Sequence, residues 1–418
     1  MTLPGDKSIS HRALMFLSMA CGEAVIQNLS SGQDVQSTLA CLRLLGAQIE
    51  ALDETTWHIT GVEKFHSPPT PLDCGNSGTT MRLLSGIIAG TGLAATLIGD
   101  ASLQKRPMKR VIDPLMRMGA SIQNQCPPLQ FKDNPAGLTG IDYRMPIASA
   151  QVKSAILLAG LFTQPGCSVE IEEPVPSRDH TERMLTALGA QVDCGQKIQL
   201  RGRKSDLISQ NILVPGDISS AAFWLVGAAI LPGSHLTLQQ VSLNPSRLGL
   251  LKVLQAQVEQ TGVSAGEPYG TIQITGGSLS GDITITPDMV PELIDEIPIL
   301  TVLGLFTEGT FTLHGAEELK FKESNRLQAL LDILAALDID VEPYDDGFRF
   351  QGNPDWQVPS TQTPFETHHD HRLVMALEIL NLRAASPLPI QGKDWVAISY
   401  PGFYNTLHRL RTNLSTKP

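Results

Sequence analysis

Lys7, Ser8 and Arg12 lie together near the start of the chain, in Gly5-Asp6-Lys7-Ser8-Ile9-Ser10-His11-Arg12. Lys7 and Ser8 sit at the expected start of a helix, and Arg12, four residues past Ser8, falls on the same helical face. Backbone N–H groups, a hydroxyl and two cations at a helix start suit the binding of an anion. A second loop, Gly75-Asn76-Ser77-Gly78-Thr79-Thr80-Met81-Arg82, supplies glycines that let backbone approach a phosphate, with hydroxyls alongside. In Lys105-Arg106-Pro107-Met108-Lys109-Arg110, Pro107 suits a first helical turn, which places Arg106 at the helix entrance as an anion clamp. Ser177-Arg178-Asp179-His180, Lys320-Phe321-Lys322-Glu323-Ser324-Asn325-Arg326 and His368-His369-Asp370-His371-Arg372 complete the set. Helical spacing projects Lys322 and Arg326 together, with Glu323 about 100° away on the same turn. A capped helix with solvated charges also explains each segment by itself.

The elements that must position these residues repeat. Loops rich in Gly, Ser, Asn or Asp run into an apolar, helix-like stretch near residues 5, 75, 149, 216, 293 and 370. A helix end leading into a strand also recurs, in Leu45-Gly46-Ala47-Gln48-Ile49, Met118-Gly119-Ala120-Ser121-Ile122, Leu188-Gly189-Ala190-Gln191-Val192 and, more loosely, Leu337-Asp338-Ile339-Asp340-Val341. Gly after a helix supplies the left-handed cap, and the alternating tail reads as a strand. The spacing predicts one supersecondary unit of strand, helix, strand, helix, strand, strand used six times, each stacking on its neighbours to bury its apolar face. Chance likeness within an ordinary α/β protein is the alternative. Two signatures recurring in phase weigh against it.

With 418 residues, 42% apolar and 17% charged, the chain can bury large cores and is expected to form two or three domains. Every apolar run is broken by Gly, Pro or charge before about 20 residues, so no membrane span is expected. The amino terminus lacks the succession of a signal peptide, which makes the cytoplasm the expected location. Cys21, Cys41, Cys74, Cys126, Cys167 and Cys194 form no Cys-x-x-Cys pair and read as reduced thiols. A net charge of -11 argues against a nucleic-acid or anionic-membrane surface as partner, so the useful cations must be concentrated in a cleft. Adjacent residues of the histidine cluster point in different directions and no second ligand group stands nearby, so no metal is expected. Neither a P-loop nor a nucleophile elbow is present.

The run Leu3-Pro4-Gly5-Asp6-Lys7-Ser8-Ile9-Ser10-His11-Arg12-Ala13-Leu14 closely resembles the amino-terminal signature of the 5-enolpyruvylshikimate-3-phosphate synthase family. The resemblance continues in family order through Leu72–Leu83, Gly99–Met108, Ser149–Ser154, Arg178–Glu182, Ile294–Glu296, Lys322–Arg326 and Asp370–Arg372. It implies an enzyme of the shikimate pathway to aromatic amino acids. Such an enzyme joins shikimate 3-phosphate and phosphoenolpyruvate, gives 5-enolpyruvylshikimate 3-phosphate and phosphate, and needs no metal or organic cofactor. It implies the enolpyruvyl transferase fold, a two-domain inside-out α/β barrel of six βαβαββ repeats. One domain would hold residues 7–214 and the other residues 1–6 with 215–418.

Carried over by position, the shikimate 3-phosphate side resembles Lys7, Ser8, Arg12, Ser149, Ala150, Gln151, Arg178, Asp295 and Lys322. The phosphoenolpyruvate side is similar to Lys7, Gly78, Arg106, Gln151, Arg326 and Arg372. The catalytic roles fall to Lys7, Asp295 and Glu323: Asp295 for the 5-hydroxyl proton, Glu323 for the methylene carbon, Lys7 near the transferred phosphate. Domain closure is expected to assemble these groups. A monomer is expected, with glyphosate as an inhibitor at the phosphoenolpyruvate position, where Gly78 carries no methyl. Many members have a carboxyl-terminal Lys contact. The matching run here, Ala397-Ile398-Ser399-Tyr400-Pro401, lacks it, and the Asp295-Glu296-Ile297-Pro298 pattern suggests the second broad branch. UDP-N-acetylglucosamine as the acceptor, and a noncatalytic anion-binding or scaffold protein, are the alternatives.

Overall fold

Helix starts are set by the polar loops. In a computed structural model, which describes residues 1–201, 203–277 and 279–415, five of the six repeat openings end in a side chain that caps a helix. Asp6 accepts from the Ile9 N–H at 2.9 Å, Ser77 from Thr80 at 3.1 Å, Ser149 from Val152 at 3.4 Å, Asp217 from Ser219 at 2.7 Å and Asp370 from Arg372 at 3.0 Å. Each satisfies an N–H that a helix start leaves without a partner. The fifth opening differs, because Glu296 makes no cap bond and its carboxylate instead takes Arg247 Nη2 at 3.2 Å and the Ser219 hydroxyl.

The chain divides into two compact units. The amino-terminal unit holds residues 4–215 and 262–269, and the carboxyl-terminal unit holds residues 1–3, 216–261 and 270–418. These bounds differ from the expected ones at three places, one of them only Pro215, which lies with the amino-terminal unit. Pro4–Asp6 lie with the amino-terminal unit, where the Asp6 N–H donates to the Pro215 carbonyl at 2.7 Å. Residues 262–269 return to that unit because Ala265 joins its core and the Leu213 N–H donates to Ser264 Oγ at 2.9 Å.

The helices of the amino-terminal unit are α1 (Lys7–Met19), α2 (Gln33–Leu44), α3 (Gly78–Thr91), α4 (Lys109–Arg117), α5 (Ala150–Gly160) and α6 (His180–Ala187). Three four-stranded sheets share one plan, a parallel pair continued by an antiparallel hairpin. They run Leu72–Asp73, Ala95–Ile98, Leu129–Phe131, Ile122–Gln123; then Ile141–Arg144, Val169–Glu172, Ile198–Leu200, Val192–Cys194; and Ile212–Leu213, Glu23–Gln27, Trp57–Thr60, Gln48–Ala51. The last is closed by the end of the third repeat, since Ile212–Leu213 pairs in parallel with Ile26–Gln27. Helices α1, α3 and α5 are buried almost all round, polar residues such as Ser10, His11, Arg12 and Ser85 included. Gly86 lets α3 and α5 meet backbone to backbone, for a Cβ there would stand 2.2 Å from the Ala155 carbonyl oxygen.

The carboxyl-terminal unit repeats the plan less regularly, with α7 (Ile218–Ala229), α8 (Gly249–Leu254), the short α9 (Val290–Leu293), α10 (Ile297–Leu305), α11 (Arg326–Ala336), α12 (His371–Leu380) and α13 (Phe403–Ser415). Helices α7, α10 and α12 are its buried core helices and pack on one another. The sixth repeat departs from the pattern. Among the described residues its pairings are the isolated parallel bridges Val358 with Ala384 and Phe365 with Ile390, and α13 follows where the other repeats have a hairpin. No helix among the described residues is long and apolar enough to cross a membrane.

Candidate active site

In the amino-terminal unit, the starts of α1, α2, α3, α5 and α6 are tied together by polar side chains. Arg12 is the hub: Nε donates to Thr181 Oγ1 at 2.7 Å, Nη2 to Ser154 Oγ at 2.8 Å and Nη1 to the Ser8 carbonyl at 2.9 Å. All three partners are neutral. Burial therefore pushes the guanidinium down to about 10, below its ordinary value, against the upward pull of Glu182, Glu267 and Asp6, with Arg178 adding to the fall. Lys7 Nζ reaches Asp34 at 2.9 Å. A buried chain of hydroxyls runs from His11 Nδ1 to Thr38 Oγ1 at 2.6 Å, Thr80 Oγ1 at 2.7 Å and Ser77 Oγ at 2.7 Å. Burial, Lys7 and Arg12 hold the His11 imidazole well below its ordinary pKa of 6.5, so it is neutral there.

Gly78 opens α3 beneath two arginines; a Cβ there would stand 2.8 Å from Arg82 Nη1 and 3.3 Å from Arg106 Nη1. Arg106 Nη2 donates to Asn76 Oδ1 at 3.0 Å, Gln151 Nε2 donates to Thr79 Oγ1 at 2.8 Å, and Arg82 donates to Gln151 Oε1. The helix beyond Pro107 begins later than expected. Arg106 ends a tight 3₁₀ turn, Leu103–Lys105, and α4 starts at Lys109 behind Met108. Arg106 is thus placed by the turn and by Asn76, not by a helix start. Ser149 is spent on its helix cap, Ala150 and Gln151 form the first turn of α5, and Arg178 lies in the loop before α6.

That loop is anchored from below by Lys153, whose Nζ sits 2.8 Å from Glu173 and 2.7 Å from Glu182, all three buried. Burial alone would lower the Lys153 pKa, yet the two carboxylates outweigh it and raise it, while burial raises that of Glu182. Glu173 also accepts from the Ser177 hydroxyl, and Lys153 donates to the Ser177 carbonyl at 3.4 Å, which fixes the residue next to Arg178.

The carboxyl-terminal unit gathers a different set. Arg326, fully buried as the first residue of α11, donates Nε to Asp370 Oδ2 and Nη2 to Glu323 Oε2, both at 2.6 Å, and its Nη1 stands 3.5 Å from Asp295 Oδ1. Burial opposes the charge, but Asp370, Glu323 and Asp295 together lift the guanidinium pKa above its ordinary value. Arg372 donates Nη1 to the Asp295 carbonyl at 3.2 Å, and its Nε lies 3.6 Å from Asp295 Oδ1. Asp295, Glu323, Arg326 and Arg372 are therefore neighbours.

The helical spacing expected for Lys322, Glu323 and Arg326 does not hold. Lys322 follows the 3₁₀ turn Glu317–Phe321 in an extended conformation, and α11 starts only at Arg326 behind the Asn325 cap. Glu323 reaches Arg326 by loop geometry instead. In the histidine cluster, His368 and His369 adopt left-handed φ of 49° and 62°, and the His369 ring stacks on Trp395 at 3.9 Å.

Several residues of these constellations escaped sequence reasoning. Asp34 and Glu173 lay outside every motif singled out, and Lys153, Thr181 and Glu182 lay inside the family-like runs Ser149–Ser154 and Arg178–Glu182 with no role given to them. Arg82 and Asp370 lay inside motifs already singled out, as a cation one turn past Gly78 and as the residue before His371.

A family model described as EPSP synthase (3-phosphoshikimate 1-carboxyvinyltransferase) matches residues 1–407. The chain belongs to that family. It is 46% identical to the 3-phosphoshikimate 1-carboxyvinyltransferase of Synechococcus sp. (strain JA-3-3Ab), over 98% of this chain and 93% of that one. With the enzyme of the same name from Bacillus subtilis (strain 168) it shares 41% identity, over 98% and 96%. The EPSP synthase structure from Acinetobacter baumannii superposes with a TM-score of 0.85 at 41% identity, covering 98% of this chain and 94% of that one. The enolpyruvyl transferase NikO from Streptomyces tendae, only 16% identical, still gives 0.75 over 98% and 94%, a likeness of fold. The fold is thus the two-domain inside-out α/β fold of EPSP synthases and enolpyruvyl transferases.

Proposed function

We propose that this chain transfers the enolpyruvyl group of phosphoenolpyruvate to the 5-hydroxyl of shikimate 3-phosphate, releasing phosphate, in the pathway to aromatic amino acids. The family membership supports this reading, and the observation that carries it is the carboxylate pair Asp295 and Glu323, held on separate arms of one buried guanidinium. Addition followed by elimination needs two proton movements on neighbouring atoms. The 5-hydroxyl loses its proton as its oxygen bonds to carbon 2, while the methylene carbon gains one. The bond to the phosphate oxygen then breaks and a methyl proton leaves, restoring the double bond.

In this scheme Asp295 orients the 5-hydroxyl and takes its proton, and Glu323 serves the methylene carbon. Lys7, Ser8, Arg12, Ser149, Ala150, Gln151, Arg178 and Lys322 bind shikimate 3-phosphate, where cations and helix-start N–H groups match a phosphate. Lys7, Gly78, Arg106, Gln151, Arg326 and Arg372 bind phosphoenolpyruvate, since guanidinium forks fix carboxylate and phosphate. The chain works as a cytoplasmic monomer, which light scattering tests. UDP-N-acetylglucosamine as acceptor is not favoured, because the matching family and the named relatives are 3-phosphoshikimate enzymes.

Phosphate release measured with each substrate omitted in turn, beside Glu323→Gln, tests the assignment. Release should require both substrates, and the variant should lose about a hundredfold to ten-thousandfold in kcat, the worth of one general acid–base group. Release without shikimate 3-phosphate, or undiminished turnover in the variant, would contradict it.

Glyphosate should inhibit competitively with phosphoenolpyruvate. In Gly78→Ala the new methyl presses on the Arg82 and Arg106 guanidinium ends, and the inhibition constant should rise about tenfold, equivalent to about 1.4 kcal/mol. An unchanged constant would separate Gly78 from the inhibitor.

A further inference from the structure

Glu267 lies on the segment 262–269 that returns to the amino-terminal unit, and its side chain is completely buried. A buried carboxylate is unfavourable unless paired and hydrogen-bonded. His180 meets it, with Nδ1 2.9 Å from Glu267 Oε1. His180 is the first residue of α6, and the next residue, Thr181, accepts from Arg12 Nε. Arg178, the other cation of this face, stands two residues before His180. Glu267 also acts directly on Arg12, as one of the charges favouring the guanidinium against burial.

The turn that presents Glu267 is tightly seated. Gly266 has a φ of +79°, and a Cβ there would come within 2.7 Å of the Arg183 carbonyl oxygen. Ser264 Oγ takes the Leu213 N–H, and Ala265 is part of the core. The three residues before Glu267 are thereby seated, which holds its carboxylate against the start of α6.

We propose that Glu267 is a positioning residue for the shikimate 3-phosphate site: through His180 it sets the Arg178–Thr181 segment, whose Thr181 hydroxyl holds Arg12. It touches no substrate. The proposal rests on the reading of Arg12 and Arg178 given above. An account in which Glu267 only stabilises the fold predicts a lower unfolding temperature without selective loss of one substrate.

The test is calorimetric titration of shikimate 3-phosphate alone, with initial-rate KM values for both substrates, on the full chain carrying Glu267→Gln, His180→Gln or Arg12→Lys. Glu267→Gln should weaken shikimate 3-phosphate binding and raise its KM by about tenfold, the worth of one hydrogen bond to a charged group. The KM for phosphoenolpyruvate and kcat should stay within about twofold, His180→Gln should act in the same direction, and Glu267→Gln added to Arg12→Lys should do little more. An unchanged shikimate 3-phosphate affinity, or equal loss for both substrates, would overturn the proposal. Should Glu267→Gln fail to fold, Glu267→Asp, which keeps the charge, must show the same selective loss in milder form. Failure of the unsubstituted chain to bind shikimate 3-phosphate would instead sink the substrate reading.

Discussion

Arg12, in the second turn of α1, and Arg326, the first residue of α11, are both buried arginines, one in each unit, and the surroundings of the two drive their pKa values in opposite directions. Arg12 is surrounded by two hydroxyls and a carbonyl, and burial lowers its pKa to about 10. Arg326 is surrounded by three carboxylates, and its pKa is raised. The first guanidinium has only neutral hydrogen-bond partners, and under the proposed function the dianionic phosphate supplies the compensating charge. The second already faces three carboxylates and, under the proposed function, holds Asp295 and Glu323 in place beside its phosphoenolpyruvate contact. Under the proposed function the same residue type serves as an anion receptor in one unit and as a scaffold for acid–base chemistry in the other. The choice is made by what surrounds it.

Replacing Arg326 should break the contrast most sharply. Arg326→Met strands the fully buried Asp370 with Asp295 and Glu323 beside it, and the carboxyl-terminal unit should lose about 3–5 kcal/mol in chemical unfolding. Adding Asp370→Asn to that variant should recover part of the loss. If it recovers nothing, charge compensation is not what Arg326 supplies.

Arg12→Lys should have a smaller and different effect, since its partners are neutral groups that remain satisfiable. Shikimate 3-phosphate affinity should fall about tenfold to a hundredfold, corresponding to about 1.5–3 kcal/mol for bonds to a charged group. The unfolding midpoint should move less than in Arg326→Met. Equal destabilisation by the two substitutions would erase the distinction between receptor and scaffold.

The finest test follows protonation itself. With ¹³C-labelled arginine, one guanidinium carbon should titrate near pH 10, the value to which burial brings Arg12, and that signal should be missing in Arg12→Lys. Because the folded pKa lies below the ordinary value, the charged form is disfavoured by the fold, and anion affinity should fall as pH rises through about 10. Arg326 should not titrate in this range. A shikimate 3-phosphate complex should carry the Arg12 transition to higher pH, because the bound dianion supplies the missing compensation.

Much of this molecule could be read without coordinates. The capping residues Asp6, Ser77, Ser149, Asp217 and Asp370 act within three residues of themselves, and the repeat of loop, apolar helix and Gly-terminated turn is equally local. Lys7, Ser8 and Arg12 share a helix start as their spacing required. The failures were local too where a turn replaced a helix. Lys322 and Glu323 lie before α11, and Pro107 before α4, because 3₁₀ turns at Glu317–Phe321 and Leu103–Lys105 intervene.

The sequence by itself determined the repeat, the helix starts and which loops carry cations and carboxylates, because those follow from interactions between residues a few positions apart. Only the tertiary structure decided that Arg12 would meet Thr181, 169 residues away, that Glu267 would lie buried against His180 from 87 residues away, and that Asp370 would hold Arg326 across 44. Such partners are chosen by the packing of whole units, where burial strips each charge of water and leaves the nearest side chains to decide whether it binds, holds or reacts.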